Sequence, residues 1–490
     1  MKRYFPTVML FICLISCSIV ALSAGGVSTP QAVQGARELL QKGEFKKAEQ
    51  LLTDSLAIAA KNDQKALLWE KERIRRIRLD YDNKEEDILA HCSEKIKDFT
   101  PEELKKWESE GKFDVQVIDG IKYYVSSSVS NLAKRYPEIR KRFMDSSEKD
   151  AWGEKILVMA YKIQKARKET NTPYVVPLRL GAKHSMTPKK EYIKTGEILH
   201  AWIPFPQESP YQKDIRIKNS DPESSYIDKP DRPIRSVFFE LAADKESPKT
   251  ITLDYEFTRY AICPMVEPSN LEPYDNDPVF QEYTREEEPN IVFTEDLKKL
   301  ARGITGKEEN PYIKGKMIYD WVCDNIVYSY AREYSTLLNI PMYVYEKRYG
   351  DCGQIGLLFI TLCRIAGVPA TWQSGWECMG GERWGMHDWT AIYIKPYGWI
   401  PVDPYIGVWA VHESTLPDQE RKFLKDFYYG NLDPWRLQAN SRNNADLWPE
   451  KSDFRSEPVD FQRGEIECAG RNLYFDQFKW QISLTLVKEK

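Results

Sequence analysis

The stretch that decides the fold runs from Tyr349 to Gln354 and reads Tyr-Gly-Asp-Cys-Gly-Gln. After Cys352, apolar residues recur at helical spacing until Gly367, which predicts a buried helix that begins at the cysteine. In the first turn of a helix the backbone N–H groups are unpaired and the dipole is positive, so we expect a lowered pKa for the Cys352 thiol. The Asp351 carboxylate opposes this effect unless it caps the helix.

A histidine and an aspartate follow on two predicted strands that are joined by a turn. His387 opens the first strand and Asp403 ends the second, with the turn at 395–398. If the loop has an odd number of residues, His387 and Asp403 point to the same face of the sheet, and direct contact further requires pairing centred near Lys395. Asp388 is closer in sequence, but consecutive strand residues face opposite ways, so we expect a structural role for it.

A thiol, an imidazole and a carboxylate in this order are the parts of a cysteine acyl-transfer site. At these residues the sequence resembles the transglutaminase-like superfamily, whose core carries a Cys at the start of a helix and a His and an Asp on the strands that follow. The resemblance covers roughly 294–430 and implies a papain-like core. In that core Cys352 attacks a carboxamide or peptide carbonyl, His387 protonates the leaving amine, and Asp403 holds the imidazole.

Aromatic residues near these motifs are candidates for two further roles. The oxyanion of a tetrahedral intermediate needs two donors, of which one is expected to be the Cys352 backbone N–H. The second is expected from Tyr328 or Trp321, although both would serve equally well as core residues. Trp376 and Trp384 lie in a glycine-rich stretch before the histidine. They either present aromatic surface to a substrate or pack over the catalytic helix.

The remaining sequence predicts an α+β protein with an N-terminal helical region, a β-sandwich domain and a papain-like transglutaminase core. Helical spacing covers 25–170, and 35–52 is similar to one tetratricopeptide helix pair. Alternating strands predict the sandwich over 171–266. An acidic, proline-containing linker follows at 267–293. The catalytic domain, with C-terminal strands, is expected over 294–490.

The first residues are typical of a secretory signal peptide, which we place at 1–24: a basic start, an apolar core and small residues at the cleavage site. Leu14 to Cys17 also resembles a bacterial lipobox, which would leave a lipidated Cys17 and a membrane attachment. The protein is therefore expected to be exported, as a periplasmic, cell-surface or secreted protein. The cysteines show no metal-like pairing, and neither a metal nor another cofactor is expected.

A net charge of −4 with 29% charged residues argues against a nucleic-acid partner. The expected partner is a peptide or protein substrate, and the expected activity is thiol-dependent acyl transfer through a thioester. Bacterial members of the resembled family favour hydrolysis over cross-linking. Two alternatives stay open at this point: a protein-glutamine transglutaminase, and a catalytically silent binding or scaffold protein at the cell surface.

Overall fold

The computed structural model describes residues 28–144, 150–381 and 383–487. The expected signal peptide and the lipobox at Cys17 lie outside these described residues. The chain divides into two compact units, of which the first contains the described residues up to Ile74 together with Val117–Ile121, and the second contains the rest. None of the helices within the described residues is long and apolar enough to cross a membrane.

The predicted α+β class is confirmed, with helices in the N-terminal part and several sheets after them. The helices are α1 Thr29–Gln41, α2 Phe45–Ile58, α3 Lys61–Asp80, α4 Glu85–Lys95, α5 Pro101–Ser109, α6 Ser128–Arg135, α7 Pro137–Arg140, α8 Ala151–Lys168, α9 Pro278–Tyr283, α10 Glu295–Thr305, α11 Pro311–Asn325, α12 Ile340–Lys347, α13 Cys352–Ile365, α14 Pro404–His412 and α15 Asp418–Phe427. The strands are β1 Val115–Ile118, β2 Ile121–Tyr124, β3 Tyr174–Pro188, β4 Ile198–Pro204, β5 Gln212–Asp221, β6 Tyr226–Ile227, β7 Ser236–Ala242, β8 Ile251–Ile262, β9 Val327–Tyr328, β10 Tyr349–Gly350, β11 Ala370–Glu377, β12 Gly385–Ile394, β13 Gly398–Val402, β14 Arg436–Asn440, β15 Glu465–Cys468, β16 Arg471–Leu473 and β17 Phe478–Leu486.

The first unit is built on the helix pair α1 and α2. Small and apolar side chains such as Ala36 and Leu52 are buried on the facing sides of the two helices. Gly43 has a φ of 77°, a left-handed conformation that lets the chain leave α1 and turn into α2. This is the helix pair that the sequence predicts over 35–52.

The second unit contains a β-sandwich. One sheet has the order β17-β3-β8-β5, and the other has the order β16-β15-β4-β7-β6. Side chains from both sheets share one hydrophobic core; examples are Leu180 of β3, Ile203 of β4 and Leu253 of β8. The alternating segments that predict the sandwich over 171–266 correspond to the strands β3, β4, β7 and β8. Strand β5 escaped prediction because its sequence is mostly polar.

The C-terminal strands complete this sandwich. Strand β17 pairs with β3 from Phe478 to Leu486, and β15 pairs with β4. Sequence order grouped these strands with the catalytic segment at 294–490, whereas their hydrogen bonds join them to strands more than two hundred residues earlier. Alternation predicts that a segment is a strand but does not predict its partner.

The segment that carries the predicted triad combines a buried helix with a sheet of order β13-β12-β11-β14. Helix α13 buries nearly its whole length, and Gly356 lets it approach β12, because a Cβ there would lie 3.3 Å from the Thr390 methyl group. Thr294 caps α10, since its side chain accepts a hydrogen bond from the Leu297 backbone N–H. The predicted linker at 267–293 includes the short helix α9.

Candidate active site

Cys352 is the first residue of α13, as the sequence predicts. Asp351 caps this helix, since its Oδ1 accepts a hydrogen bond of 2.9 Å from the Gln354 backbone N–H. The Cys352 side chain is half-buried, whereas the other six cysteines of the described chain are buried. Its Sγ lies 3.7 Å from Asp388 Oδ2. The nucleophile is thus the most accessible thiol among the described residues.

The expected lowering of the thiol pKa was wrong for this arrangement. Burial raises the pKa of Cys352 well above its ordinary value, and the charges of Asp388 and Asp351 raise it further. The Asp388 backbone N–H favours the thiolate but does not reverse the shift. Sequence spacing indicated the helix terminus, whereas the causes of the raised pKa come from the tertiary structure: burial first, then Asp388 of the neighbouring strand and Asp351 of the cap. The resting nucleophile is therefore a neutral thiol.

His387 and Asp403 are in direct contact. His387 Nε2 lies 2.8 Å from Asp403 Oδ2, and both side chains are almost completely buried. Strands β12 and β13 pair Ile394 with Gly398, so the loop between them has three residues and the two side chains share a face. The pairing is centred on Pro396 and not on Lys395. Asp403 consequently lies just beyond the last pair of the ladder, as the N-cap of α14.

A buried arginine completes this pair. Arg436 Nη1 lies 2.7 Å from Asp403 Oδ2, and its Nη2 lies 2.8 Å from Asp433 Oδ2. Burial opposes ionisation of Asp403, but His387 and Arg436 outweigh it and hold the pKa of this carboxyl below its usual range. An ionised Asp403 accepts the proton of His387 Nε2, so Nδ1 is assigned as the basic ring nitrogen. With the proton on Nε2, the unprotonated Nδ1 can accept the proton of the Cys352 thiol.

Asp388 has its own partners on the other side of the strand. Its Oδ2 accepts a hydrogen bond of 3.2 Å from the Tyr334 hydroxyl, and its Oδ1 accepts one of 2.9 Å from Gln462 Nε2. Gly353 makes room for it, because a Cβ at that position would lie 2.5 Å from Asp388 Oδ2. Asp388 is therefore turned away from the imidazole, as alternation predicts, and lies beside the nucleophile.

Two aromatic rings lie near the imidazole. The Tyr405 ring lies 5.5 Å from the His387 ring and 4.8 Å from the Tyr328 ring. The pKa values of both tyrosines are raised, mainly by burial, and the Cys352 charge contributes to each. Within the described chain no hydrogen bond joins the thiol to the imidazole, which is common before a substrate is bound.

A cavity of about 440 Å³ opens at the nucleophile. Strand β9, helix α13, strand β12 and the segment 457–463 contribute to its wall, and Trp480 of the sandwich strand β17 completes it. The lining residues include Tyr328, Tyr334, Cys352 and Asp388. The cavity is large enough for a short segment of an extended peptide. Its volume is also within the range of small-molecule sites.

The four aromatic candidates fall in different places. Tyr328 lines the cavity and pairs with Gly350, two residues before the nucleophile, so it stays a candidate oxyanion donor. Trp321 packs against the core on α11, with the Arg348 guanidinium 5.2 Å from its ring, and does not line the cavity. Trp376 is fully buried in the sandwich core, and Trp384 packs against the same core. Neither tryptophan lines the cavity at Cys352.

Several residues of the site were missed in the sequence. Arg436, Tyr405 and Tyr334 hold or surround the triad, while Gln462 and Asp460 come from an irregular segment about a hundred residues after the nucleophile. Tyr405 follows directly after Asp403-Pro404, so its closeness in sequence to the predicted carboxylate could have indicated it. Segment 457–463 has no periodicity that could have indicated its position. No group of three His, Cys, Asp or Glu side chains within the described ranges is arranged to hold a metal ion.

Residues 298–404 match the family model of the transglutaminase-like superfamily. Two curated proteins are also similar: an uncharacterized protein of Haemophilus influenzae, 24% identical over 199 residues, and the uncharacterized protein YebA of Bacillus subtilis, 24% identical over 142 residues. These alignments cover 35% and 25% of this chain. They cover 52% of the first relative and 19% of the second, so the chain spans about half the length of the first and about a fifth of the second.

Two solved structures are similar at low identity. A protein of Cytophaga hutchinsonii described as a candidate cysteine protease has a TM-score of 0.40 at 14% identity, covering 65% of this chain and 93% of that one. The periplasmic domain of TgpA from Pseudomonas aeruginosa has a TM-score of 0.27 at 12% identity, covering 56% and 96%. The family match supports a cysteine-based enzyme, and residues 298–404 of this chain form a core of the transglutaminase-like superfamily.

Proposed function

We propose that this protein is a thiol-dependent hydrolase that cleaves peptide or glutamine-type amide bonds through a Cys352 thioester. The observation that carries the proposal is the contact of 2.8 Å between His387 Nε2 and an ionised Asp403, together with a cavity that opens at Cys352. This contact leaves His387 Nδ1 free to take the thiol proton and to return it to the leaving amine.

The reaction would proceed in two halves. When the amide enters the cavity, Cys352 Sγ attacks the carbonyl carbon as His387 removes the thiol proton, and a tetrahedral oxyanion forms. The Cys352 backbone N–H, at the first position of α13, and the Tyr328 hydroxyl would donate to this oxyanion. The imidazolium protonates the departing amine and leaves a thioester, which water then hydrolyses with His387 as general base.

Hydrolysis is favoured over amine transfer when the carboxyl groups around the nucleophile are ionised, which for Asp351 and Asp460 requires a pH above about 6 and about 7. The cavity wall carries the carboxyl groups of five acidic residues: Glu333, Asp351, Asp388, Glu457 and Asp460. Carboxylates near an amine favour its protonated form, and an ammonium ion is not a nucleophile. Water is unaffected by this charge. The basic start and the apolar run of the first 24 residues support the proposal that the enzyme acts outside the cytoplasm.

The test is a screen of the full chain against peptide amides and glutamine-containing peptides, with release of amine or ammonia as the readout. Hydrolysis should persist when a labelled primary amine is present in excess. Stoichiometric incorporation of that amine would instead support a transglutaminase.

Two cysteine variants check which thiol is responsible. Cys352→Ala should abolish turnover, while the matched control Cys363→Ala, on the buried face of the same helix, should retain it. Absence of turnover on every substrate, together with unchanged partner capture by Cys352→Ala, would favour the scaffold alternative.

A further inference from the structure

The cavity beside Cys352 has an unbalanced charge. Acidic side chains outnumber basic ones in its wall, where the acidic residues are Glu333, Asp351, Asp388, Glu457 and Asp460 and the basic ones are Arg332 and Arg463. An excess of carboxylates in a half-enclosed space costs free energy unless a cation or a proton compensates it. We therefore ask first which of these carboxylates are already neutralised by an arginine of the protein.

Both arginines are already paired. Arg463 forms a bidentate ion pair with Glu333, with N–O distances of 3.0 and 2.7 Å. Arg332 pairs with Asp80, which lies outside the cavity wall, at an Nε–Oδ2 distance of 3.4 Å. The other four carboxyl groups of the wall have no ion pair in the part of the chain that the structure describes. The pairing of Glu333 thus leaves four carboxyl groups on which arginines such as Arg463 act only at longer range, without a direct ion pair.

Asp351 and Asp388 are at least hydrogen-bonded, and Glu457 accepts a bond of 3.0 Å from the Val459 backbone N–H. Asp460 differs from them. It is 7% exposed and lines the cavity, and its carboxylate has no hydrogen bond or ion pair with any described residue. The Asp460 oxygens are not among the buried polar atoms that lack a partner, so they are open to the cavity, where water or a donor group of a bound molecule can complete their hydrogen bonds.

We propose that this cavity is a subsite for an ammonium group of the substrate, which binds Asp460 and the neighbouring carboxylates while the scissile carbonyl faces Cys352. Only the placement of the scissile carbonyl at Cys352 rests on the proposed function, since the binding of the cation does not require turnover. The ammonium would be a recognition element: held by carboxylates, it stays protonated and fixes the orientation of the amide. A lysine side chain and a free α-amino group supply the same chemistry.

A metal ion fits this cavity less well. Calcium requires six to eight converging oxygen ligands. No group of acidic, histidine or cysteine side chains with that convergence occurs among the described residues, and the carboxylates are instead distributed around the wall. An organic cation on a flexible stem can reach such dispersed acceptors one at a time, with its apolar stem against Met379, Met386 and Trp480.

The subsite should bind its cation more tightly as pH rises. Burial raises the pKa of Asp460 to about 7; Arg463 and Arg455 of its own segment oppose this shift, while Asp351 and Glu333 add to it. Asp388 on β12 and the nearby Glu457 also repel it, and burial raises the pKa of Asp351 to about 6. Below these values the carboxyls are neutral and attract no cation. A side-chain ammonium of ordinary pKa about 10.4 remains charged throughout, so its affinity should rise between about pH 6 and pH 8 with release of protons; an α-amino group, of ordinary pKa about 7.7–8.0, begins to lose its charge at the upper end of this range.

The experiment measures binding of three small probes to the full-length Cys352→Ala variant by titration calorimetry. Nα-acetyl-lysinamide carries the cation on the side chain, norleucinamide carries it on the α-amino group, and Nα-acetyl-norleucinamide is neutral. We expect one of the two cations to bind about tenfold more tightly than the neutral probe, a ratio typical of one charge-assisted hydrogen bond. Which cation binds identifies the source of the ammonium. Titrations in buffers of different ionisation enthalpy should show proton release.

Asp460→Asn, which preserves shape, should remove most of that preference. The matched control Glu240→Gln, an exposed carboxylate on β7 that does not line the cavity, should leave it intact. Equal affinity for charged and neutral probes in the Cys352→Ala variant would overturn the proposal without reference to any further substitution. Binding of Ca²⁺ without binding of either cationic probe would also overturn it and indicate a metal site. Cation binding without turnover by the native chain would support the subsite while contradicting the hydrolase.

Discussion

Asp388 Oδ2 lies 3.7 Å from Cys352 Sγ, on the other side of the strand from the pair formed by His387 and Asp403. The two neighbouring residues of β12 therefore act on the nucleophile in opposite ways. His387 offers a base for the thiol proton, whereas the negative charge of Asp388 makes the proton harder to remove. A substrate that brings a positive charge to the carboxylates would reduce this opposition, so binding of the substrate and activation of the thiol would be coupled.

The first prediction concerns alkylation of the thiol. Among the described cysteines, Cys352 should be labelled first by iodoacetamide because it is only half-buried, but its rate should stay low at pH 6 to 7 and increase only at alkaline pH. The sign follows from burial and two neighbouring carboxylates, which favour the thiol over the thiolate. Mass spectrometry of timed, quenched samples gives the profile for each cysteine.

A companion variant makes this measurement decisive. Asp388→Asn removes one of the charges that raise the pKa of the thiol, so the alkylation profile of Cys352 should move to lower pH. Glu240→Gln, remote from the cavity, should not change it. Fast labelling of Cys352 in the native chain at pH 6 would contradict the neutral-thiol assignment.

The second prediction concerns the orienting carboxylate. Asp403→Asn should retain the fold and lower kcat by about 10³ to 10⁴, because an amide can donate to Nε2 and so favour the wrong imidazole tautomer. Asp388→Asn should be far milder. Steady-state kinetics on the best substrate of the screen compares the two variants, and similar losses in both would show that Asp403 has no special role.

The third prediction concerns Arg436, which neutralises two buried carboxylates. Arg436→Met should lower the free energy of unfolding by about 3–5 kcal/mol, because Asp403 and Asp433 would be left buried without their cation. Urea denaturation at pH 7 measures the loss.

The pH dependence of the same variant gives a second check. The pKa of Asp403 is lowered in the native chain, so its contribution is present above the unfolded value of about 3.9 and is lost as pH falls through the lower folded value. The difference in stability between the native chain and Arg436→Met should therefore shrink in acid. A difference that is constant from pH 7 to pH 3 would argue against an ionised Asp403.

The fourth prediction tests the close packing around the nucleophile. Gly353→Ala would place a methyl group against the Tyr334 hydroxyl, 2.5 Å from Asp388 Oδ2 and 2.7 Å from the Trp372 ring. Such overpacking should cost about 1–3 kcal/mol of stability and reduce activity as the cap and strand move apart.

The matched control is Gly303→Ala on the exposed side of α10, where no atom lies within 4 Å of the new Cβ. That substitution should increase the free energy of unfolding by about 0.5–1 kcal/mol, because alanine is the better helix former. Thermal and urea denaturation of the two variants measure the contrast. Equal tolerance of alanine at both positions would mean that α13 is free to shift away from β12.

Local pattern was sufficient for much of this fold. Helical spacing after Cys352, the cap at Thr294 and the alternation in β3, β4, β7 and β8 are each properties of a short segment, and the structure contains all of them. Chain parity predicted that His387 and Asp403 share a face if the loop between their strands has an odd number of residues, and the loop in the structure has three.

The sequence did not predict which segments pair or pack with each other. The pairing of β12 with β13 is centred on Pro396, one residue from the position considered in the sequence, and β17 pairs with β3. Arg436 and Asp460 come to the site from distant parts of the chain. The charge state of Cys352 depended on these same long-range contacts. A periodic pattern reflects only which face of a segment is buried. The electric field at a sulfur atom depends on every charge that the fold brings within a few ångströms, so only the tertiary structure determined it.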